Sequence, residues 1–166
     1  CMSMSKTYAM TGWRIGYAFG DVDIINAMSK IQGQATSCAN SIGQVASIEA
    51  LVGDQSAVDQ MIIVFKKRRD YMIKLLNDLP EVNCLVPGGA FYAFPDFGYY
   101  VGKSFNGKII KDSFDLCEIF LNEAYVATIP GDGFGAPGYV RFSYAIDEKT
   151  IKEGIDRVNK IIQQIT

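Results

Sequence analysis

The chain has 166 residues, with 16 Lys and Arg against 18 Asp and Glu, no histidine, and 49% hydrophobic residues. A net charge of −2 leaves no basic surplus to neutralise nucleic-acid phosphates. The missing histidine excludes Ser-His-Asp and Cys-His nucleophiles and His-ligated zinc, so proton transfer falls to Lys, Tyr, Cys or a carboxylate.

Residues 1–20 mix Ser, Gly and aromatics without a helical stripe, which predicts a loop and then a short strand over 14–18. Asp21 caps a helix running to about 32, with Val22, Ile25, Met28 and Ile31 on one face. Asn40 or Ser41 caps a second helix through about 52, with Val45, Ile48 and Leu51 aligned. Ser56 and Asp59 have capping-box spacing for a long helix ending near 77. Its Lys66-Lys67-Arg68-Arg69 run reads as a solvated face, being short and set in an acidic chain.

Beyond Pro80 the pattern changes to short alternating runs. Residues 82–86 and 90–94 read as strands joined through Pro87-Gly88-Gly89 in a hairpin, followed by an irregular stretch over 96–108. Asp112 or Ser113 starts a helix through about 124, with Leu116, Ile119 and Phe120 inward. A strand over 126–129, a Gly-rich loop over 130–138, a strand over 139–144 and a helix over 148–164 complete the order. The last helix places Ile151, Ile155, Val158, Ile161 and Ile162 at helical spacing. This second part is an α+β unit, whereas the first fifty or so residues resemble the tail of a larger α/β unit.

Cys1, Cys38, Cys84 and Cys117 form no CxxC pair and read as buried free thiols in a reducing compartment. The longest apolar run, 61–65, is too short to span a bilayer, and no signal segment is visible. A cytoplasmic location without membrane or nucleic-acid partners is the expectation. The chain also opens on Cys1 within three residues of its most unusual segment, an uncommon start for a complete domain.

That segment holds Ser3, Ser5, Lys6, Trp13 and Arg14, with Gly12 and Gly16 permitting close backbone approach. Hydroxyls, an amine and a guanidinium within twelve residues suit a phosphate-bearing carbonyl cofactor. Near the other end, Val140, Phe142 and Tyr144 share one strand face and Arg141 and Ser143 the other. A lone Arg on such a strand calls for an anionic partner, either a helix carboxylate or a bound anion. Gly131, Gly133, Gly135 and Gly138 lack phosphate-loop spacing and precede a strand, so they read as loop geometry before Arg141.

The run Ser3-Met4-Ser5-Lys6-Thr7-Tyr8-Ala9-Met10-Thr11-Gly12-Trp13-Arg14-Ile15-Gly16-Tyr17 is similar to the cofactor-lysine segment of class I/II aminotransferases. These are pyridoxal-phosphate enzymes of fold type I, and the wording here resembles the bacterial-type aspartate aminotransferase branch. Pro87-Gly88-Gly89-Ala90-Phe91-Tyr92, Val126-Ala127-Thr128-Ile129-Pro130-Gly131 and Gly138-Tyr139-Val140-Arg141-Phe142-Ser143-Tyr144-Ala145 extend the resemblance across the chain. It implies the C-terminal portion of a fold type I transferase, α/β then α+β. Residues 1–55 would end the large cofactor domain, 56–80 form an interdomain helix, and 81–166 make most of the small domain.

By the same resemblance, Lys6 carries pyridoxal 5′-phosphate as a Schiff base and later shuttles a proton. Ser3 and Arg14 bind the cofactor phosphate, and Arg141 pairs with the substrate α-carboxylate. The substrates implied are an amino acid, aspartate, and a 2-oxo acid, 2-oxoglutarate, with the whole protein a homodimer. The Asp that pairs with the family's pyridinium nitrogen precedes the lysine and has no counterpart among the five residues before Lys6. A chain limited to these residues is therefore expected to be inactive alone. An aromatic or kynurenine aminotransferase or a C–S lyase of the same fold remains open, as does a non-catalytic α+β assembly or binding domain.

Overall fold

Capping side chains fix where the helices of the first part begin. In the computed structural model, which describes residues 1–166, α1 (Met4–Thr7) follows β1 (Met2–Ser3), and Ser3 Oγ accepts from Ser5 N at 3.1 Å. A helical turn thus stands where a loop is expected, and the strand expected over 14–18 shrinks to β2 (Gly16–Tyr17). Asp21 caps α2 (Val22–Ala35) through Asp23 N at 2.9 Å, and Asn40 caps α3 (Ser41–Val52) through Gly43 N at 2.6 Å. For α4 (Ser56–Asn77) the Ser56–Asp59 box does not form. The Asp54 carboxylate accepts from both the backbone N–H and the hydroxyl of Ser56 instead, since a charged acceptor outcompetes a neutral one. Those two bonds hold the Asp54 carboxyl below its usual range.

The chain divides into two packing units, Cys1–Ile62 and Ile63–Thr166. In the first, the buried core is Met4, Met10 and Ile15, with Tyr8, Ala46 and Ala50 against it. The face of α3 that meets this core is its row of small residues, Gly43, Ala46, Ser47 and Ala50. The expected apolar faces point outward: Val45, Ile48 and Leu51 are exposed, as are Val22, Met28 and Ile31 on α2, which buries no residue. Small side chains let α3 approach the lysine segment closely, which large ones would prevent. A Cβ on Gly43 would lie 2.8 Å from Ile15 Cδ1 and 2.8 Å from Asn40 Oδ1. Gly43→Ala is therefore expected to lower stability by about 1–3 kcal/mol through overpacking. Denaturant melts with hydrogen exchange over residues 4–15 check this; unchanged protection there would show that α3 docks without the close approach.

In the second unit, β7 (Val140–Ser143) is the central strand of a three-stranded antiparallel sheet, flanked by β3 (Tyr92–Ala93) and β6 (Ile129–Pro130). The hairpin expected from 82–94 is absent. Asn77 takes Cys84 N–H at 2.7 Å and donates to Cys84 O at 3.0 Å, consuming the groups a strand would use. Only an Asn83–Asp96 bridge remains of that pairing. Within the stretch expected to be irregular, β4 (Ser104–Phe105) and β5 (Lys108–Ile109) form a hairpin through Asn106-Gly107. Both turn residues have positive φ, 50° and 79°, which is the Asn-Gly hairpin signal.

Behind the sheet lie α5 (Ser113–Ala124), capped by Asp112, and α6 (Glu148–Ile162), capped by Asp147. The helix stripes behave as their spacing predicts: Leu116 and Phe120 of α5 are buried, as are Ile151, Ile155, Val158, Ile161 and Ile162 of α6. Phe97 stacks on Phe142 of β7 at 6.1 Å and meets Phe120 at 5.4 Å, joining sheet and helix layer. Such buried aromatics contribute roughly 1.5–3 kcal/mol each. The basic run of α4 is solvated only in part. Lys66 and Lys67 are exposed, with Lys67 pairing with Glu148 at 3.0 Å. Arg68 and Arg69 are half-buried, and Arg69 pairs with Asp70 at 2.8 Å and donates to Pro87 O at 3.2 Å.

The thiols split two ways. Cys84 and Cys117 are buried and burial pushes both thiols up, but Cys1 and Cys38 are exposed, against the expectation of four buried thiols. No helix is long and apolar enough to cross a membrane.

Candidate functional site

The first unit folds its lysine segment back on itself. β1 and β2 pair antiparallel with Met2 opposite Tyr17 and Ser3 opposite Gly16, and Met4 N donates to Ile15 O at 3.2 Å. Gly16 is required at this crossing, since a Cβ there would lie 2.8 Å from Met2 O. Ser3 Oγ also donates to Ile15 O at 3.4 Å. Buried Met4 and Ile15 anchor the turn from beneath while Ser3, Lys6 and Arg14 stay on the exposed side.

Arg14 follows the 3₁₀ turn Thr11–Trp13 and sits in the left-handed region at φ 55°, which costs a side-chain-bearing residue about 1–2 kcal/mol. Its Nη1 donates to Thr11 O at 3.0 Å, so the guanidinium is tied to the turn that carries it. Asn40 supports this turn from α3, donating Nδ2 to Trp13 O at 3.2 Å while its Oδ1 caps the helix. Sequence reasoning reads Asn40 only as a cap. Its second bond was invisible there because the partner is a backbone carbonyl 27 positions away.

Strand pairing thus brings Ser3, Lys6 and Arg14 onto one folded stretch of seventeen residues that contains no Asp or Glu. The first carboxylate of the chain is Asp21. A hydroxyl, an amine and a guanidinium on one stretch are the groups that a cofactor bearing an aldehyde and a phosphate dianion calls for.

Arg141 belongs to the second unit and is described within it. Its place on β7 follows the alternation, with Val140, Phe142 and Tyr144 buried on the core side and Arg141 half-buried on the other. Tyr92 pairs across from Ser143, which sets its ring on the same face as Arg141. The guanidinium carbon lies 4.2 Å from the Tyr92 ring centre and 4.8 Å from that of Phe134. None of the five ion pairs of the chain includes Arg141. Of the two partners the sequence left open, a helix carboxylate is absent, and two aromatic rings stand beside the cation without accepting from its N–H groups. Tyr92 and Phe134 were assigned no part from sequence. The cross-strand register that places Tyr92, and the turn that places Phe134, become visible only with the sheet.

A separate cleft of about 600 Å³ lies between the β4–β5 hairpin and α5, lined by Phe105, Lys108, Ile110 and Glu118 among others. It contains none of Ser3, Lys6, Arg14 and Arg141.

A family model for "Aminotransferase class I and II" matches residues 1–158. An aspartate aminotransferase from Streptomyces avermitilis is 42% identical over 161 residues, covering 97% of this chain and 40% of that protein. A crystal structure of the Rhizobium meliloti aspartate aminotransferase matches with a TM-score of 0.95 at 42% identity, over 99% of this chain and 41% of the other. The aromatic aminotransferase structure from Pyrococcus horikoshii matches with a TM-score of 0.86 at 34% identity, over 97% of this chain and 42% of the other. The chain thus spans about two-fifths of the length of such relatives.

Proposed function

The chain belongs to the class I and II aminotransferases, of which it is a fold type I portion, and we propose that it carries the amino-transfer lysine of an aspartate aminotransferase. In that reading the whole protein moves the amino group of aspartate to 2-oxoglutarate. The observation that carries it is the family match over residues 1–158, which takes in the folded stretch bearing Ser3, Lys6 and Arg14.

Pyridoxal phosphate supplies an aldehyde to condense with amines and a ring that withdraws electrons from the substrate Cα. Ser3 Oγ and the Arg14 fork would hold its phosphate. Lys6 Nζ would be the amine that holds the cofactor and, once freed by the incoming amine, would take the substrate Cα proton and return it at the cofactor's former aldehyde carbon. Arg141 would grip the substrate α-carboxylate with two parallel N–H bonds, fixing which Cα bond faces the lysine. Residues 1–55 would then close the large domain, 56–80 link the domains, and 81–166 build the small one. We place the whole protein in the cytoplasm as a homodimer, and read these 166 residues as inactive by themselves.

The fold match to an aromatic aminotransferase favours a second reading with an aromatic donor. Steady-state assays of the whole protein with 2-oxoglutarate decide between them. The expected result is oxaloacetate formation from aspartate with a kcat/KM at least about tenfold above that for tyrosine. A preference for tyrosine would replace the first reading by the second, and turnover of neither would overturn both.

A further inference from the structure

We infer that Asp132, tethered to Ser113, is a positioning residue for Arg141, acting through the ring of Phe134. This rests on the reading of Arg141 as the carboxylate-binding group.

Ser113 is the first residue of α5 and is fully buried. Its hydroxyl donates to Asp132 Oδ2, its backbone N–H donates to the same oxygen at 3.2 Å, and its Oγ accepts from Asp132 N at 3.3 Å. The remaining N–H groups of that helix start have another acceptor, because Asp112 Oδ1 takes Phe114 N at 2.9 Å and Asp115 N at 3.1 Å. Capping of α5 is therefore already served by Asp112, and the Asp132 bonds add a link to a different part of the chain.

That part is the 3₁₀ turn Gly131–Phe134. Gly131 N donates to Tyr139 O at 2.7 Å, Ala136 N to Gly131 O at 3.0 Å, and Gly135 N to Asp132 O at 3.0 Å. A Cβ on Gly131 would lie 2.5 Å from Tyr139 O, so the turn sits tight against the start of β7. Phe134 is more than half exposed, with only the edge of Phe94, 6.1 Å away, as a ring neighbour. Burial does not hold this ring over Arg141. The turn does, and the turn is fastened to α5 by Asp132 two residues earlier.

The same bonds have an electrostatic consequence. Asp132 lies in the loop leading to Arg141, and a carboxylate that paired with the guanidinium would occupy the fork needed by substrate. Committed to Ser113, it makes no ion pair with Arg141. Tyr92 and Phe134 then supply the cation's aromatic contacts, neither of which accepts from its N–H groups as a carboxylate would.

The test is ¹H–¹⁵N NMR of the Arg141 Nε–H group in the whole protein, assigned by its disappearance in Arg141→Lys. The rings should displace this signal from its free-arginine position. Asp132→Ala and Ser113→Ala are expected to move it towards that position and to weaken its response to added succinate about 2- to 5-fold. That is the worth of one exposed cation–π contact. Asp132→Asn, which still accepts from the Ser113 hydroxyl, should retain most of both effects. Phe134→Leu should lose the ring displacement with the tether intact, so that a folding defect in the Asp132 variant does not decide the matter. An Arg141 signal with unchanged displacement and succinate response in both Asp132→Ala and Ser113→Ala would overturn the inference. A wild-type signal that moves with the tether but ignores succinate would instead overturn the carboxylate reading of Arg141.

Discussion

Lys6→Ala is expected to remove covalent pyridoxal-phosphate binding from the whole protein and to lower amino transfer by roughly 10²–10⁴-fold, the value of a positioned proton-transfer group. The reason is local. Lys6 is exposed on a four-residue helix whose anchors are Met4 below and the Ser3 cap before it, so the substitution removes the amine without opening the core. Lys6→Arg should fail as badly, since a guanidinium stays protonated at any working pH and cannot act as the amine. Borohydride reduction followed by peptide mapping reads the bond directly, with a cofactor-mass adduct on residue 6 in the parent and none in either variant. Visible absorbance that is the same with and without Lys6 would sink the assignment. Arg14→Ala should behave differently, weakening cofactor binding while leaving the attachment at residue 6, because its proposed part is the phosphate.

The second large effect belongs to Arg141→Ala. Two charge-assisted hydrogen bonds to a carboxylate at about 1.5–3 kcal/mol each imply a loss of roughly 10²- to 10⁴-fold in kcat/KM. Both the amino acid and the oxo acid carry the α-carboxylate, so the loss should appear for both half-reactions. Arg141→Lys should recover little, because a point charge cannot reproduce the two-pronged fork. An amine lacking the α-carboxylate supplies the control, being used equally slowly by parent and variant. Unchanged kcat/KM for aspartate in Arg141→Ala would remove Arg141 from the substrate site.

The elements best read from sequence are those whose signal is local. Asp21, Asn40 and Asp112 each cap the helix that follows, and the stripe of α6 is buried as spaced. Arg141 could be placed on the outer face of its strand by alternation alone. The errors arise where a side-chain acceptor outside the pattern decides. Asn77 diverts Cys84 from strand pairing, and Asp54 displaces the Ser56–Asp59 box. The face that α3 buries is chosen by the close approach to Ile15, which favours Gly43 and Ser47 over the larger Val45 and Ile48. Hydrophobicity ranks those residues the other way. For the site, the resemblance singled out the donors, while the supports around them, Asn40, Tyr92, Phe134 and Asp132, came from contacts spanning many residues. The Asn106-Gly107 turn was legible by its dipeptide and was simply passed over.

The outward apolar faces of α2 and α3 bear on how the chain behaves as a colloid. Val22, Ile31, Val45 and Ile48 are each at least 60% exposed on a molecule whose formal charge is only −2. Long-range repulsion between copies is then weak, and at 0.15 M salt it is screened within roughly 8 Å. Attraction through contiguous apolar surface has little to oppose it, least of all near the isoelectric point of about 5.1. Whatever covers these helices in the whole protein therefore sets its solubility as well as its fold.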